Sequence, residues 1–221
     1  MINILHNRYD IQADWLKPAL SRYIKPHMRV CVVAFSFREE RVKCSSDWDG
    51  LYAPGGVYHE GIVGSFLSYG IESRQIEFIN YFKDTKESAR EKVKRADILY
   101  FPGGLPDRMM ERTREFDLID AIKSHQGIAM GYSAGALIQL REYHLSPDRD
   151  YPKFGYYEGL GWLDEFLVEV HYEDTAVQNE AIARALRQRK KPVYGLPDNA
   201  AIIVSDDQFE IIGPAKLFLP E

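Results

Sequence analysis

The chain has 221 residues, of which 45% are hydrophobic and 28% are charged, and its formal net charge is −5. These values are typical of a globular protein that is large enough to bury a sizeable core. The acidic balance and the lack of a basic stripe interleaved with aromatic residues argue against nucleic acid as a partner. No apolar run approaches the ~18 residues of a membrane span, so we expect no membrane partner either.

The N-terminus and the two cysteines indicate where the protein works. Met1–His6 is short and interrupted by polar residues, which predicts a first strand rather than a signal peptide. Cys31 lies in an apolar run and Cys44 in a polar segment, so they do not form a disulfide framework. Reduced thiols are typical of the cytoplasm, where we expect the protein to be found.

Short apolar runs alternate with amphipathic stretches along the chain, which is the pattern of an α/β protein with a parallel sheet. The predicted strands are Ile2–Leu5, Arg29–Phe35, Gln75–Asn80, Ile98–Phe101, Ile128–Gly131, Phe166–His171, Val193–Leu196, Ala201–Val204, Phe209–Ile212 and Lys216–Leu219. The predicted helices are Trp15–Ile24, Tyr58–Tyr69, Thr85–Arg95, Asp117–His125 and Ala176–Arg189. A hairpin is predicted around Asp206-Asp207. We expect residues 1–221 to form one domain.

The most informative motif is Gly131-Tyr-Ser133-Ala-Gly135, which follows the apolar run 127–130 and precedes the apolar segment 134–140. This order predicts a strand, a sharp turn and a helix, with Ser133 at the turn. Glycines allow such a tight reversal while the serine hydroxyl stays exposed above the sheet. The helix would direct free N–H groups toward an oxyanion. Ser133 is therefore a candidate nucleophile.

A nucleophilic serine needs a base, and the base needs an acceptor that orients it. His171 ends a predicted strand downstream of Ser133, so we predict that it is the base. His6 ends the first strand and could reach the same edge of the sheet. The other histidines fall in predicted loops or at helix ends, where a solvated side chain is expected: His27, His59, His125 and His144.

The sequence does not decide which carboxylate orients His171. Asp198 follows a strand end and Pro197, and its carboxylate could accept from the far nitrogen of His171. The same Pro-Asp-Asn stretch is also a common turn composition. Glu169 is an alternative that should share a strand face with His171, because strand side chains alternate. Asp164 and Asp174 are further alternatives.

The stretch Phe101-Pro-Gly-Gly104 also has two interpretations. Its glycines permit a close backbone approach, so the amide of Gly104 or Leu105 could donate to an oxyanion beside the amide of Ala134. The alternative is a tight turn without a ligand. The charged segment 38–43 is interpreted as a solvated face. No metal-binding or phosphate-binding spacing occurs, so we expect no cofactor.

Four segments together resemble the peptidase E (aspartyl dipeptidase) and cyanophycinase family of serine peptidases. They are Phe101-Pro-Gly-Gly104, Gly131-Tyr-Ser-Ala-Gly-Ala136, Gly159–Leu163 with Val170-His171-Tyr172, and Tyr194–Ile202. The resemblance implies a three-layer α/β sandwich with a mostly parallel central sheet. That is the flavodoxin-like fold of the class I glutamine amidotransferases.

Position by position, the resemblance implies that Ser133 is the nucleophile and His171 the base, with Asp198 where the family places a carboxylate. It also places Gly104 and Ala134 at the backbone amides of the oxyanion hole. The order serine, histidine, acid differs from that of an α/β-hydrolase, in which the acid precedes the histidine.

The chain departs from its relatives in two respects. Amidotransferases have cysteine in the elbow, so the serine argues against glutaminase chemistry. Peptidase E prefers an N-terminal aspartate, yet residues 172–181 contain no Lys or Arg. The acidic residues Glu173, Asp174 and Glu180 could favour a basic group, or they could be a solvated helix start.

We expect a serine hydrolase that cleaves small peptides through an acyl-enzyme. The alternatives are an esterase or amidase acting on a non-peptide substrate, and a non-catalytic member that binds a small ligand. The sequence leaves the oligomeric state open between a monomer and a homodimer.

Overall fold

A computed structural model describes residues 1–221 and contains twelve strands, eight α-helices and one 3₁₀ turn. The strands are β1 (Ile2–His6), β2 (Val30–Val32), β3 (Ile76–Phe78), β4 (Ile98–Phe101), β5 (Ile128–Tyr132), β6 (Glu142–Leu145), β7 (Gly155–Glu158), β8 (Leu167–Glu169), β9 (Val193–Gly195), β10 (Ala201–Ser205), β11 (Gln208–Ile212) and β12 (Lys216–Phe218). The helices are α1 (Lys17–Leu20), α2 (Ser45–Tyr52), α3 (Val57–Leu67), α4 (Lys86–Arg95), α5 (Pro106–Glu115), α6 (Ile119–Lys123), α7 (Ala134–Leu137) and α8 (Ala176–Arg189). None of these helices combines the length and the apolar character needed to cross a lipid bilayer.

Seven strands form the main sheet, in the order β11-β10-β1-β5-β4-β2-β3. The strands from β1 to β3 in that order are parallel, whereas β10 and β11 are antiparallel additions at one edge. Every residue of β4 and β5 is buried, as expected for parallel strands covered on both faces. The carboxyl ends of β1, β4 and β5 therefore lie side by side at one edge of the sheet.

Two hydrophobic cores lie on opposite faces of this sheet. Leu99 and Phe101 of β4 belong to the core under α4 to α7, while Ile98 and Tyr100 belong to the core under α1 to α3. Successive strand side chains point to opposite faces, so each central strand contributes to both cores. The result is the three-layer α/β sandwich that the resemblance implied.

Two smaller sheets lie beside the carboxyl edge of the main sheet. One has the order β12-β9-β8, and the other is the hairpin β6-β7. Helix α8 covers the first of them, and its N-terminus is capped by Thr175, whose hydroxyl accepts the amide of Gln178. These sheets hold the segments that contain His171 and Asp198.

The structure confirms all ten predicted strands, with ends that shift by a few residues, and it confirms the hairpin around 206–207. The helix predicted over 15–24 is wrong in length, because only 17–20 are helical and the flanking residues form turns. Pro18 within its first turn and Pro26 beyond it limit the hydrogen bonds available there. Helices α2 and α5 and the β6-β7 hairpin were not predicted.

Candidate active site

A cavity of about 670 Å³ opens at the carboxyl edge of the main sheet. Its wall includes four of the five predicted site residues: Gly104, Ser133, Ala134 and His171. The fifth, Asp198, lies behind His171 and contacts it directly. The tertiary structure therefore brings together residues that are up to 94 positions apart in the chain.

The turn at Ser133 is held in an uncommon backbone conformation. Ser133 has φ 52° and ψ −113°, which a residue with a side chain rarely adopts. Its amide donates to the carbonyl of His6 at 2.9 Å, which ties the turn to the end of β1. Gly135 is required because a Cβ atom there would lie 1.9 Å from the carbonyl oxygen of Phe101. Close packing thus forces the sharp reversal between β5 and α7.

Two backbone amides near Ser133 are available as donors. Neither the amide of Ala134 nor that of Gly104 donates a hydrogen bond within the protein. Gly104 has φ +137°, and a Cβ atom on it would lie 2.3 Å from the carbonyl oxygen of Ser36. A Cβ atom on the preceding Gly103 would lie 3.3 Å from Cβ of Ser133. The glycine turn therefore packs against the serine turn and leaves free N–H groups beside it.

His171 forms a hydrogen bond with a carboxylate on the side away from the cavity. Its Nδ1 lies 2.7 Å from Oδ1 of Asp198, and the two side chains are 46% and 49% exposed. This bond leaves Nε2 as the ring nitrogen that is available to a reacting group. The hydroxyl of Ser133 makes no direct hydrogen bond to His171. Apo sites often have such gaps, which close when substrate binds.

Asp198 has a second cationic neighbour. Arg8 Nη1 lies 3.3 Å from Oδ2 of Asp198, and Arg8 Nε lies 3.7 Å from Asp10. Partial burial of Asp198 opposes ionisation, but the hydrogen bond from His171 and the positive charge of Arg8 outweigh it and lower the pKa of Asp198. The carboxylate is therefore held in its ionised form.

The prediction that Glu169 shares a face with His171 is wrong. Strand β8 ends at Glu169, and His171 follows with φ 50°, so the alternation does not continue. The carboxylate of Glu169 instead accepts from His144 Nε2 at 2.8 Å and from the hydroxyl of Ser146. His144 was predicted to be solvated, yet its side chain is fully buried in β6. The alternation of polar and apolar residues in 142–145 could have revealed the strand, but it groups His144 with Glu142 and so gives no sign that His144 is buried.

The remaining alternatives are engaged elsewhere. Asp164 pairs with Lys191 and Arg141, and Asp174 pairs with Lys216. His6 reaches the predicted edge but is 1% exposed, and burial lowers its pKa to about 4. Both histidine–carboxylate pairs reach the cavity, but His144 and Glu169 are buried, whereas His171 and Asp198 are half-exposed.

The cavity wall also contains charged residues that the sequence did not indicate. Arg38, interpreted as solvated, forms a bidentate pair with Asp150. It is the only Lys or Arg in the wall, which also includes Asp148, Glu169 and Glu173. No three His, Cys, Asp or Glu side chains lie close enough together to hold a metal ion.

Solved structures share the fold over nearly the whole chain. One is a candidate peptidase E protein from Listeria monocytogenes EGD-e, with a TM-score of 0.67 and 14% identity, covering 95% of this chain and 96% of that one. Another is a peptidase from an acI-B1 actinobacterium, with a TM-score of 0.64 and 17% identity, covering 100% and 90%. At these identities the likeness concerns the fold alone. A comparison with curated proteins finds no match.

The sequence itself matches the profile of peptidase family S51 over residues 58–212. The match includes β3 to β11 and therefore the serine turn, the glycine turn and the segments of His171 and Asp198. Because it extends over more than half of the chain, this protein belongs to peptidase family S51.

Proposed function

We propose that the protein is a serine peptidase that hydrolyses small peptides through an acyl-enzyme on Ser133. The observation that carries the proposal is that Ser133 and His171 line one cavity, with His171 hydrogen-bonded to Asp198 behind it. A serine is a weak nucleophile unless a positioned base takes its proton. Membership of a peptidase family supports the hydrolysis of a peptide bond.

In the proposed reaction, the hydroxyl oxygen of Ser133 attacks the scissile carbonyl carbon while Nε2 of His171 takes the hydroxyl proton. The negative charge that develops on the carbonyl oxygen would be stabilised by the free amides of Gly104 and Ala134. The C–N bond then breaks, and His171 returns the proton to the leaving amine. A water molecule activated by the same ring hydrolyses the ester and restores Ser133.

Asp198 has an orienting role in this scheme. Its carboxylate accepts from Nδ1 of His171, which fixes the tautomer in which Nε2 is free to accept a proton. The lowered pKa of Asp198 keeps the carboxylate charged, and that charge stabilises the imidazolium formed during attack. Asp198 itself does not become protonated.

The size of the cavity supports a small substrate. About 670 Å³ lies within the range of pockets that enclose small-molecule ligands, and it would hold a dipeptide or a slightly longer peptide.

A fluorophosphonate probe tests the nucleophile directly, because it forms an adduct only with an activated serine. We expect labelling of the folded protein, loss of labelling in Ser133→Ala, and a fall in turnover on the order of 10⁶-fold. Ser146→Ala is a matched control, because Ser146 lines the same cavity but bonds to Glu169. Labelling that persists unchanged in Ser133→Ala would overturn the proposal.

A dipeptide library, run beside simple ester and amide substrates, then tests the reaction class. Hydrolysis of dipeptides supports a peptidase. Hydrolysis of esters or non-peptide amides alone would show an esterase or amidase, and binding without turnover would show a non-catalytic member of the family.

A further inference from the structure

The last residue of β1 and the two residues after it lie outside the part of the chain that matches the family profile, yet they contact the candidate site or the turn before Asp198. The carbonyl of His6 accepts the amide of Ser133, the next residue is Asn7, and Arg8 contacts Asp198. Of these three residues, Asn7 has the least obvious purpose, because it is polar, uncharged and only 1% exposed.

The side chain of Asn7 is directed at the turn that precedes Asp198. Its Nδ2 donates to the carbonyl of Leu196 at 2.5 Å and to the carbonyl of Pro197 at 2.9 Å. These contacts join the end of β1, beside Ser133, to the two residues that come directly before the acid. A buried side chain that bonds to two backbone groups is expected to restrict how that turn moves.

The same turn also holds the backbone next to His171. The carbonyl of Leu196 accepts the amide of Tyr172 at 2.8 Å as well as Nδ2 of Asn7. The carbonyl of Pro197 likewise accepts the amide of Ala200 at 3.0 Å. Both carbonyls would therefore keep a backbone donor without Asn7. What would be lost is the connection between this turn and the end of β1.

We propose that Asn7 is a positioning residue that holds the turn Leu196–Asp198 in register with Ser133, so that Asp198 orients His171 toward the serine. The proposal rests on the proposed function, because it assigns Asn7 to the same reaction. Asn7 lies in the cavity wall, but it is only 1% exposed and its Nδ2 is bonded to the turn, so we assign its effect to Asp198 rather than to contact with substrate.

The kinetic test uses Asn7→Ala with Asn80→Ala as a matched control. Asn80 is also a buried asparagine at the carboxyl end of a strand, but it bonds to neighbours of β3 rather than to the acid turn. We expect Asn7→Ala to lower kcat about tenfold or more with little change in KM, as the loss of two hydrogen bonds would imply. Asn80→Ala should leave kcat unchanged. Asn7→Ser, which keeps a single donor, should lie between wild type and Asn7→Ala.

A second readout does not depend on activity, so it separates failure of this inference from failure of the proposed function. Carbon-13 NMR of labelled aspartate follows the titration of Asp198, which is assigned from its absence in Asp198→Asn. The charged or titratable groups around Asp198 are His171, Arg8 and, through Arg8, Asp10. If Asn7 holds the turn, the pKa of Asp198 should rise toward its ordinary value in Asn7→Ala, because release weakens the contacts that lower it.

An unchanged titration of Asp198 in a folded Asn7→Ala or Asn7→Ser protein would overturn the inference, whatever the activity. An equal fall in kcat in Asn80→Ala would also overturn it, because the effect would then be general destabilisation. A raised pKa of Asp198 together with a kcat loss specific to Asn7 would support it.

Discussion

The protein contains two histidine–carboxylate pairs that differ in their surroundings. In one, His144 and Glu169 have side chains that are 0% and 7% exposed. In the other, His171 and Asp198 have side chains that are 46% and 49% exposed. Both pairs reach the cavity, and Glu169 is only two residues from His171 in the chain. The same two functional groups therefore occur once in a buried and once in a half-exposed setting.

The comparison shows that burial, rather than residue type, distinguishes the structural pair from the candidate catalytic pair. A buried hydrogen-bonded pair is costly to break, because removing one partner leaves the other without compensation. A half-exposed pair is weaker, but its ring can gain and lose a proton next to a substrate. We therefore assign His144–Glu169 to stability and His171–Asp198 to the proposed chemistry.

The largest expected contrast is between His171→Ala and His144→Ala. Removing His171 should lower kcat on the order of 10⁶-fold, as in other serine triads, since no base would remain for Ser133. His144→Ala should lower kcat far less, measured at a temperature at which both variants are folded. Similar losses of kcat in the two variants would contradict the assignment of roles.

Exchanging the carboxylate of Asp198 or Glu169 for an amide tests which of the two residues is the acid that orients His171. Asp198→Asn should lower kcat about 10⁴-fold, because the amide favours the wrong tautomer of the histidine. Glu169→Gln should have a much smaller effect, since Glu169 does not contact His171. The two variants are isosteric with wild type, so steady-state kinetics compare them fairly. A larger loss in Glu169→Gln would make Glu169 the acid.

For the free energy of unfolding we expect the reverse order: a change at His144 should have a larger effect than a change at His171. His144→Leu should lower the free energy of unfolding by about 3 kcal/mol, because it leaves the buried carboxylate of Glu169 without its histidine partner. His171→Leu should change it by no more than about 0.5 kcal/mol, since that side chain is half-exposed. Urea denaturation at neutral pH measures both values. Equal destabilisation would show that burial does not distinguish the pairs.

The charges around the cavity predict which peptides the His171–Asp198 site would prefer as substrates. Arg38 is neutralised by Asp150, whereas Glu173 makes no side-chain ion pair within the protein. Peptides that contain lysine should therefore have a higher kcat/KM than peptides that contain aspartate, and Glu173→Gln should reduce this preference about fivefold or less. Glu180→Gln is the control, because Glu180 lies outside the cavity wall. A preference for aspartyl peptides in wild type would contradict this prediction.

The smallest expected effect concerns Arg8. Arg8→Gln removes a positive charge from Asp198, so the pKa of Asp198 should rise toward its ordinary value. The stabilisation that the lowered pKa provides is present at neutral pH and is lost as the pH falls through the folded-state pKa. Because Arg8 is half-exposed, kcat/KM at neutral pH should fall only about twofold. Carbon-13 titration of Asp198 checks the direction, and a fall in its pKa would contradict the prediction.

The sequence alone predicted the α/β class, every strand that the structure confirms in the main sheet, and the candidate residues Ser133 and His171. These features leave local signals, because a buried parallel strand reads as a continuous apolar run and a serine turn needs nearby glycines. Shorter or less regular elements, such as α2 and the β6-β7 hairpin, leave weaker periodicity and were not predicted.

Only the tertiary structure decided which carboxylate contacts which histidine. Glu169 and Asp198 are both plausible partners of His171 in the sequence, and the choice depends on where β8 ends and on the backbone conformation of His171. The same is true of Asn7, whose contacts with Leu196 and Pro197 join positions about 190 residues apart. Hydrogen bonds between distant strand ends depend on how the sheets are assembled, and no local pattern in the chain encodes that assembly.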